Sequence, residues 1–105
     1  MSKTSDLTNL IRLEASRFGA VLFRNNVGFY KKDGHAIRYG LCVGSSDFIG
    51  WLHGRFLAIE IKVGKDKLTP EQINFLEQVN QSGGIGICAR SVSDVTDRLN
   101  SEQTI

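Results

Sequence analysis

Cysteine and proline are both scarce in this 105-residue sequence, which contains two cysteines and one proline. Cys42 and Cys88 lie in unrelated segments without a CxxC spacing, so we expect free thiols rather than a disulfide framework or a zinc knuckle. No apolar run approaches the roughly 18 residues that a membrane-spanning helix needs. The polar stretch after Met1 lacks the apolar segment of a secretory signal, so we expect a cytoplasmic protein with no membrane partner.

A strong excess of one charge is also missing. Lys and Arg number 13 and Asp and Glu 11, a net charge of +2 that is too small to indicate a nucleic-acid partner by itself. The basic residues concentrate in the middle of the chain, and its end is mildly acidic. This distribution fits the docking of a polyanion on one face, and it also fits a solvated loop. The basic residues concerned are Arg24, Lys31, Lys32, Arg38, Lys62, Lys65 and Lys67.

The remaining composition is that of a folded globular chain. Hydrophobic residues make up 41% and charged residues 23% of the sequence, which excludes a disordered or collagen-like protein. We expect residues 1–105 to form a single domain with a polar tail from about residue 100. Its core would be small, so a partner subunit would add stability.

The order of predicted helices and strands is typical of an α/β protein with a central mixed sheet flanked by helices. An amphipathic pattern over residues 7–18 predicts the first helix, and Thr69 begins a second one with a capping box that includes Gln72. Asp33-Gly34 predicts the turn of a hairpin within 28–40. The other predicted strands cover 20–23, 47–52, 56–63 and 85–89, and a short last helix covers 93–99.

Two carboxylates are brought together by the register of one predicted hairpin. A two-residue loop at His53-Gly54 fixes the pairing of the strands on either side, and counting outward from it places Asp47 opposite Glu60. Directly opposed residues hold their Cβ atoms about 4.5–5.5 Å apart on one face. Lys62 follows Glu60 by two residues and therefore shares that face.

Like charges opposed on a sheet are destabilising, so this pair needs compensation. Lys62 would supply it as a structural ion pair, whereas a divalent cation would supply it by bridging both carboxylates, whose hard oxygens suit Mg²⁺ or Mn²⁺. Trp51 and Phe56 share the face, which favours a partly covered cleft over open water. Glu14 lies on the inner stripe of the first helix, where it would either reach water at the stripe's edge or close the cleft.

The chemistry that such a site supports is phosphodiester hydrolysis. A metal ion held by Asp47 and Glu60 would polarise the scissile phosphate and lower the pKa of a bound water. Lys62 would orient that water or offset charge on the phosphate oxygens. The sequence offers no Ser-His-Asp or Cys-His arrangement and no nucleotide-binding loop, so we expect no organic cofactor.

At this point the motifs resemble a known family. Asp47, the strand Glu60-Ile61-Lys62 and a preceding helix with Glu14 resemble the PD-(D/E)xK nuclease superfamily, whose αβββαβ core matches the predicted order of elements. Gly44-Ser45-Ser46-Asp47 and Leu68-Thr69-Pro70-Glu71-Gln72, leading to Gly83-Gly84, resemble its VRR-NUC branch more specifically. Ser46 stands where the superfamily's name has proline. Stand-alone members of the branch are short and typical of phages and bacteria, which implies the cytoplasm of a bacterial or phage-infected cell.

The resemblance, which covers most of residues 5–95, implies a restriction-endonuclease-like fold and a Mg²⁺- or Mn²⁺-dependent DNA endonuclease. By similarity, Asp47 and Glu60 bind the metal ion together with the backbone carbonyl of Ile61, and Lys62 acts in catalysis. Glu14 matches the first-helix acid that supports the metal, often through water. Gln72 matches a helix position that faces the site.

Stand-alone members of this branch are similar to Holliday-junction resolvases, which implies a homodimer acting on branched DNA. Two other functions remain open. The aromatic and basic hairpin from Phe29 to Tyr39 also suits a non-catalytic DNA-binding module on the same fold, and a nuclease acting on structured RNA is a further alternative. The residues expected to contact DNA are Arg24, Lys31, Lys32, Arg38, Lys65 and Lys67.

Overall fold

A computed structural model describes residues 3–103, which form three helices and six strands. The helices are α1 (Lys3–Arg17), α2 (Pro70–Gln81) and α3 (Val92–Glu102). The strands are β1 (Val21–Arg24), β2 (Gly28–Lys32), β3 (His35–Tyr39), β4 (Phe48–Leu52), β5 (Arg55–Ile61) and β6 (Ile85–Ala89).

Four of the strands form a mixed sheet in the order β1-β4-β5-β6. β5 and β6 are parallel, because helix α2 connects them as a crossover, and the other neighbours are antiparallel. The predicted α/β class with a central mixed sheet is therefore confirmed. β2 and β3 pair only with each other, in a separate two-stranded sheet.

The two faces of the sheet are covered by different helices. Alternate residues of β5, including Leu57 and Ile59, pack with α1 and α3 in the larger core cluster. The residue between them, Ala58, packs instead with Leu76 and Val79 of α2. We call these the α1/α3 face and the α2 face. Because α2 packs on β5 and β6, the α2 face stays open over β1 and β4.

Two tight turns set the strand registers. Asp33-Gly34 and His53-Gly54 each have two consecutive residues with positive φ, the conformation that a two-residue hairpin loop requires. As a result, the β4–β5 register runs from Leu52 opposite Arg55 to Phe48 opposite Ile59, as predicted. Cys42 and Cys88 are free thiols, also as predicted.

Helix α3 is longer than the predicted 93–99. It continues to Glu102, whose carboxylate forms ion pairs with Arg55 at 2.7 Å and with Arg98 at 2.9 Å. The first part of the expected polar tail is therefore helical, and residues 104–105 lie outside the described part of the chain. No helix within residues 3–103 combines the length and the apolar character needed to cross a membrane.

Candidate active site

Asp47 and Glu60 meet on the α2 face, at the end of the β4–β5 ladder. Asp47 immediately precedes β4, and the next step of the register brings it opposite Glu60. The Oδ2 atom of Asp47 accepts a hydrogen bond of 2.9 Å from the backbone N–H of Ile61, which fixes the carboxylate at the end of the ladder. The structure thus places the two predicted carboxylates side by side.

Glu60 is the most unusual group of this site. Its side chain is only 4% exposed, and its Oε2 atom is buried without a hydrogen-bond partner. Burial, followed by the charge of Asp47 and the close approach of the two carboxyl groups, raises the pKa of Glu60 to about 7, and the positive charge of Lys62 opposes this rise. A buried carboxylate oxygen that lacks a partner is costly, so this atom is suited to a cation.

Helix α2 brings Gln72 to the same carboxylate. Thr69 caps the helix and accepts a hydrogen bond from the Gln72 N–H, while the Gln72 Oε1 accepts one from the Thr69 N–H, so the predicted capping box is present. The box holds the Gln72 side chain in place at both ends. Its Nε2 donates to the Oε1 of Glu60 at 3.4 Å, so the Oε2 atom is the carboxylate oxygen that remains without a partner.

Ile61 and Lys62 follow Glu60 at the end of β5. An antiparallel ladder directs the N–H and C=O of one residue to the same neighbouring strand, so the Ile61 carbonyl points to the side of Asp47, as its N–H does. The Lys62 side chain is half-buried on the α2 face. It forms no ion pair within 4.0 Å with another residue of the described part of the chain, so its ammonium is not committed to either carboxylate.

Asn25 anchors the loop that carries Asp47. Its side-chain Nδ2 donates to the Ser45 Oγ at 2.8 Å and to the Ser46 carbonyl at 2.9 Å, and its Oδ1 accepts from the Leu41 N–H at 3.0 Å. Its backbone N–H also donates to the Asp47 carbonyl at 2.8 Å. Sequence reasoning missed this residue, because an isolated asparagine after a short strand carries no motif.

Asp47, Glu60, Gln72 and Asn25 line an open cleft of about 650 Å³, whereas Ile61 and Lys62 are not among its lining residues. The first turn of α2 contributes to its lining, and so does Tyr39 at the end of β3. Gly44 permits the close approach of these segments, since it has a φ of +87° and a Cβ there would collide with the backbone of Glu71. The lining residues are Asn25, Asn26, Val27, Tyr39, Val43, Gly44, Ser45, Asp47, Glu60, Thr69, Glu71 and Gln72.

Glu14 does not join this site. Helix α1 packs on the α1/α3 face, opposite to the carboxylate pair. There the Glu14 carboxylate accepts a hydrogen bond from the Thr96 hydroxyl of α3 and pairs with Arg17 at 3.4 Å. The expectation that the first-helix acid closes the cleft is therefore not met, because the helix lies on the other side of the sheet.

Aromatic residues do not cover the cleft in the way that the sequence suggested. Trp51 and Phe56 share the α2 face with the carboxylates, but Trp51 is 50% and Phe56 41% exposed. Ile73 of α2 is 43% exposed. Trp51 lies on β4 and stays exposed because α2 packs over β5 and β6 and leaves the β1–β4 half of this face open.

The basic residues expected to contact DNA are all exposed but do not form one patch. Lys31, Lys32 and Arg38 lie on the β2–β3 hairpin. Arg24 lies on the α1/α3 face, away from the cleft, with its guanidinium 5.5 Å from the centre of the Phe48 ring. Lys65 and Lys67 lie between β5 and α2, directly after Lys62.

The oxygen atoms available here suit a hard divalent cation that leaves some of its coordination positions to water or substrate. No cluster of three or more His, Cys, Asp and Glu side chains suited to a metal occurs within the described part of the chain. A cation here would therefore rely on the Asp47–Glu60 pair, a backbone carbonyl, and oxygens from water or substrate, which is how Mg²⁺ commonly binds at phosphate-transfer sites. The nearby thiol of Cys88 is a poor competing ligand, since burial raises its pKa and keeps it protonated.

Comparison with known proteins shows which family and which solved fold the chain is similar to. A sequence model of the VRR-NUC domain matches residues 6–93. A solved structure titled "VRR_NUC domain" superposes with a TM-score of 0.64 at 16% sequence identity, and the match covers 100% of both chains. At this identity the structural likeness supports the fold alone. A search of curated proteins finds no match to the chain.

Proposed function

We propose that this chain is a metal-dependent endonuclease. It belongs to the VRR-NUC domain family and is therefore a nuclease-type domain that acts on DNA. The observation that carries the metal dependence is the buried Glu60 Oε2, which lies beside the Asp47 carboxylate without a hydrogen-bond partner. A divalent cation would satisfy this oxygen and remove the repulsion between the two carboxylates.

Mg²⁺ or Mn²⁺ is the proposed cofactor, held by Asp47, Glu60 and the carbonyl of Ile61. When bound, such an ion polarises the scissile phosphate and makes a water molecule acidic enough to attack it. Asp47 is held in position by the Ile61 N–H, and Glu60 by the Gln72 amide. These fixed bonds keep the carboxylates oriented without help from the substrate.

Lys62 is the proposed catalytic cation. Its side chain shares the α2 face with both carboxylates and is not paired with either of them. An ammonium in this place would orient the attacking water and offset the charge that develops on the phosphate oxygens. Glu14 has no part in this proposal, because its carboxylate is bonded to Thr96 on the opposite face.

The finer identity follows the resemblance. The D…ExK arrangement supports membership of the PD-(D/E)xK superfamily, and a short stand-alone nuclease of phage or bacterial type is the proposed biological setting. A homodimer acting on Holliday junctions or other branched DNA fits the open part of the α2 face. Phe23 and Trp51 expose about half of their side chains there, with ring centres 5.5 Å apart, and exposed aromatic patches often mark contacts between subunits.

Two alternatives remain distinguishable. A non-catalytic DNA-binding module would gain nothing from Asp47 and Glu60, because two carboxylates without a metal repel phosphate. A nuclease for structured RNA would use the same groups, so substrate comparison decides that case.

A cleavage assay tests the proposal. The chain is incubated with labelled four-way junction, flap, plain duplex and structured RNA, with Mn²⁺ or with EDTA. We expect Mn²⁺-dependent cleavage of branched DNA, which Asp47→Asn and Lys62→Ala abolish. Asp97→Asn, a matched change at an exposed position of α3, should leave cleavage intact. Inertness on every DNA substrate, or full activity in Asp47→Asn, would refute the proposal.

A further inference from the structure

The β2–β3 hairpin, residues 28–39, projects from the body of the protein as an arm. Neither of its strands packs broadly against another helix or strand of the described chain, and every side chain from Phe29 to Tyr39 is exposed. A two-stranded hairpin on its own is only marginally stable in water. An arm that exposes aromatic side chains under these conditions is suited to binding a ligand.

Two tyrosines form one face of this arm. The register places Tyr30 opposite Ile37 and Tyr39 opposite Gly28, so these residues share a face. The rings of Tyr30 and Tyr39 have centres 6.4 Å apart, and both side chains are about half-exposed. Gly28 makes this possible, because a Cβ at that position would overlap the hydroxyl and ring of Tyr39.

The charges of the arm indicate what these rings bind. Lys32 continues the tyrosine face toward the tip, and Lys31 and Arg38 lie on the other face. Asp33, in the turn, is the one acidic residue among residues 28–39. Aromatic faces stack on bases and cations hold phosphates, so this combination suits a nucleic acid. Bases inside a duplex are already stacked, so such rings need unpaired bases.

The arm also adjoins the candidate active site. Tyr39 lines the same cleft as Asp47 and Glu60. A strand whose bases stack on Tyr39 and Tyr30 would therefore bring its neighbouring phosphodiester to the carboxylate pair. We infer that the arm binds unpaired DNA bases by stacking on Tyr30 and Tyr39, and that it directs cleavage to the point where a strand leaves a duplex. This inference rests on the proposed function for the cleavage step alone.

Binding measured without metal tests the inference separately from catalysis. Fluorescence anisotropy in EDTA gives the Kd for a forked duplex with unpaired arms and for a fully paired duplex of the same length. Tyr30→Leu should weaken binding to the forked DNA by about 5- to 100-fold and change binding to the paired duplex by less than about twofold. Tyr30→Phe should bind as the unmodified protein does, because the ring does the stacking.

Two further variants serve as controls. Leu13→Ala removes an apolar side chain of α1 that is as exposed as that of Tyr30, 52% each, and should not change either Kd. Lys32→Ala should weaken binding to both DNAs by the same factor, since it removes a phosphate contact. It should also make the slope of log binding constant against log salt concentration shallower by about 1.

Three results would overturn the inference. One is an equal loss of affinity for forked and paired DNA in Tyr30→Leu. Another is a loss of affinity for forked DNA in Leu13→Ala as large as that in Tyr30→Leu. The third is a change from dimer to monomer in Tyr30→Leu by size-exclusion chromatography with unchanged DNA binding, because the arm would then contact a second copy of the chain. If binding depends on Tyr30 but no DNA is cleaved with Mn²⁺, the proposed nuclease function fails and the arm inference stands.

Discussion

Replacing Glu60 with glutamine should stabilise the metal-free protein at alkaline pH. The buried carboxyl group has a pKa of about 7 against an ordinary value of 4.5, so the folded state holds its proton more tightly than the unfolded state does. The stability that Glu60 contributes is therefore fully present below pH 4.5 and is lost as the pH rises through about 7. Glutamine keeps the shape and the acceptor for Gln72 but never ionises.

The size of the effect follows from the same pKa. At about 1.4 kcal/mol per pH unit, the rise from 4.5 to about 7 corresponds to about 3 kcal/mol at pH 8. Urea unfolding in EDTA should thus give nearly equal free energies for Glu60→Gln and the unmodified protein at pH 4.5, with the variant about 3 kcal/mol more stable at pH 8.

Adding Mn²⁺ at pH 8 should nearly cancel this difference. The unmodified protein gains about 2.7 kcal/mol when the metal concentration is 100 times its Kd, whereas Glu60→Gln lacks the anionic ligand and gains little. Glu77→Gln, at an exposed position of α2, is the matched control and should follow the unmodified protein throughout. This reasoning would be refuted if Glu60→Gln were destabilised by the same amount at both pH values. It would also be refuted if Mn²⁺ stabilised Glu60→Gln as much as it stabilises the unmodified protein.

Two further predictions concern residues around the site. Asn25→Ala removes three side-chain hydrogen bonds from the loop that carries Asp47, so we expect a loss of about 2–3 kcal/mol in unfolding free energy and about tenfold weaker Mn²⁺ binding by calorimetry. Asn74→Ala, at an exposed position of α2, is its control, and unchanged metal binding in Asn25→Ala would contradict the anchoring role. Glu14→Gln should lower stability by about 1 kcal/mol by weakening the contact with Thr96, and should leave kcat unchanged. A loss of cleavage as large as that of Asp47→Asn would instead place Glu14 in the active site.

The sequence predicted the central part of the fold because local signals there agree. His53-Gly54 adopts the positive φ values that a two-residue loop needs, and this alone determines which residues of β4 and β5 are opposed. Thr69 forms the predicted capping box, and that box holds Gln72 against Glu60. The sequence therefore sufficed to place Asp47 and Glu60 side by side.

Features that depend on how elements pack could not be predicted in the same way. The apolar stripe of α1 predicts a helix that packs on a sheet but does not say on which face, and Glu14 was misplaced for that reason. Alternation along β4 puts Trp51 on the α2 face, but only the position of α2 over β5 and β6 decides that it remains exposed. Likewise, Asp33-Gly34 predicts a hairpin but not its separation from the main sheet.

The most direct test of the account is a crystal structure of the protein soaked in Mn²⁺, with anomalous scattering recorded for the metal. We expect an anomalous peak between the Asp47 and Glu60 carboxylates, within coordination distance of Glu60 Oε2 and the Ile61 carbonyl. The ammonium of Lys62 lying between the two carboxylates in place of the metal, or a peak only elsewhere on the protein, would contradict it.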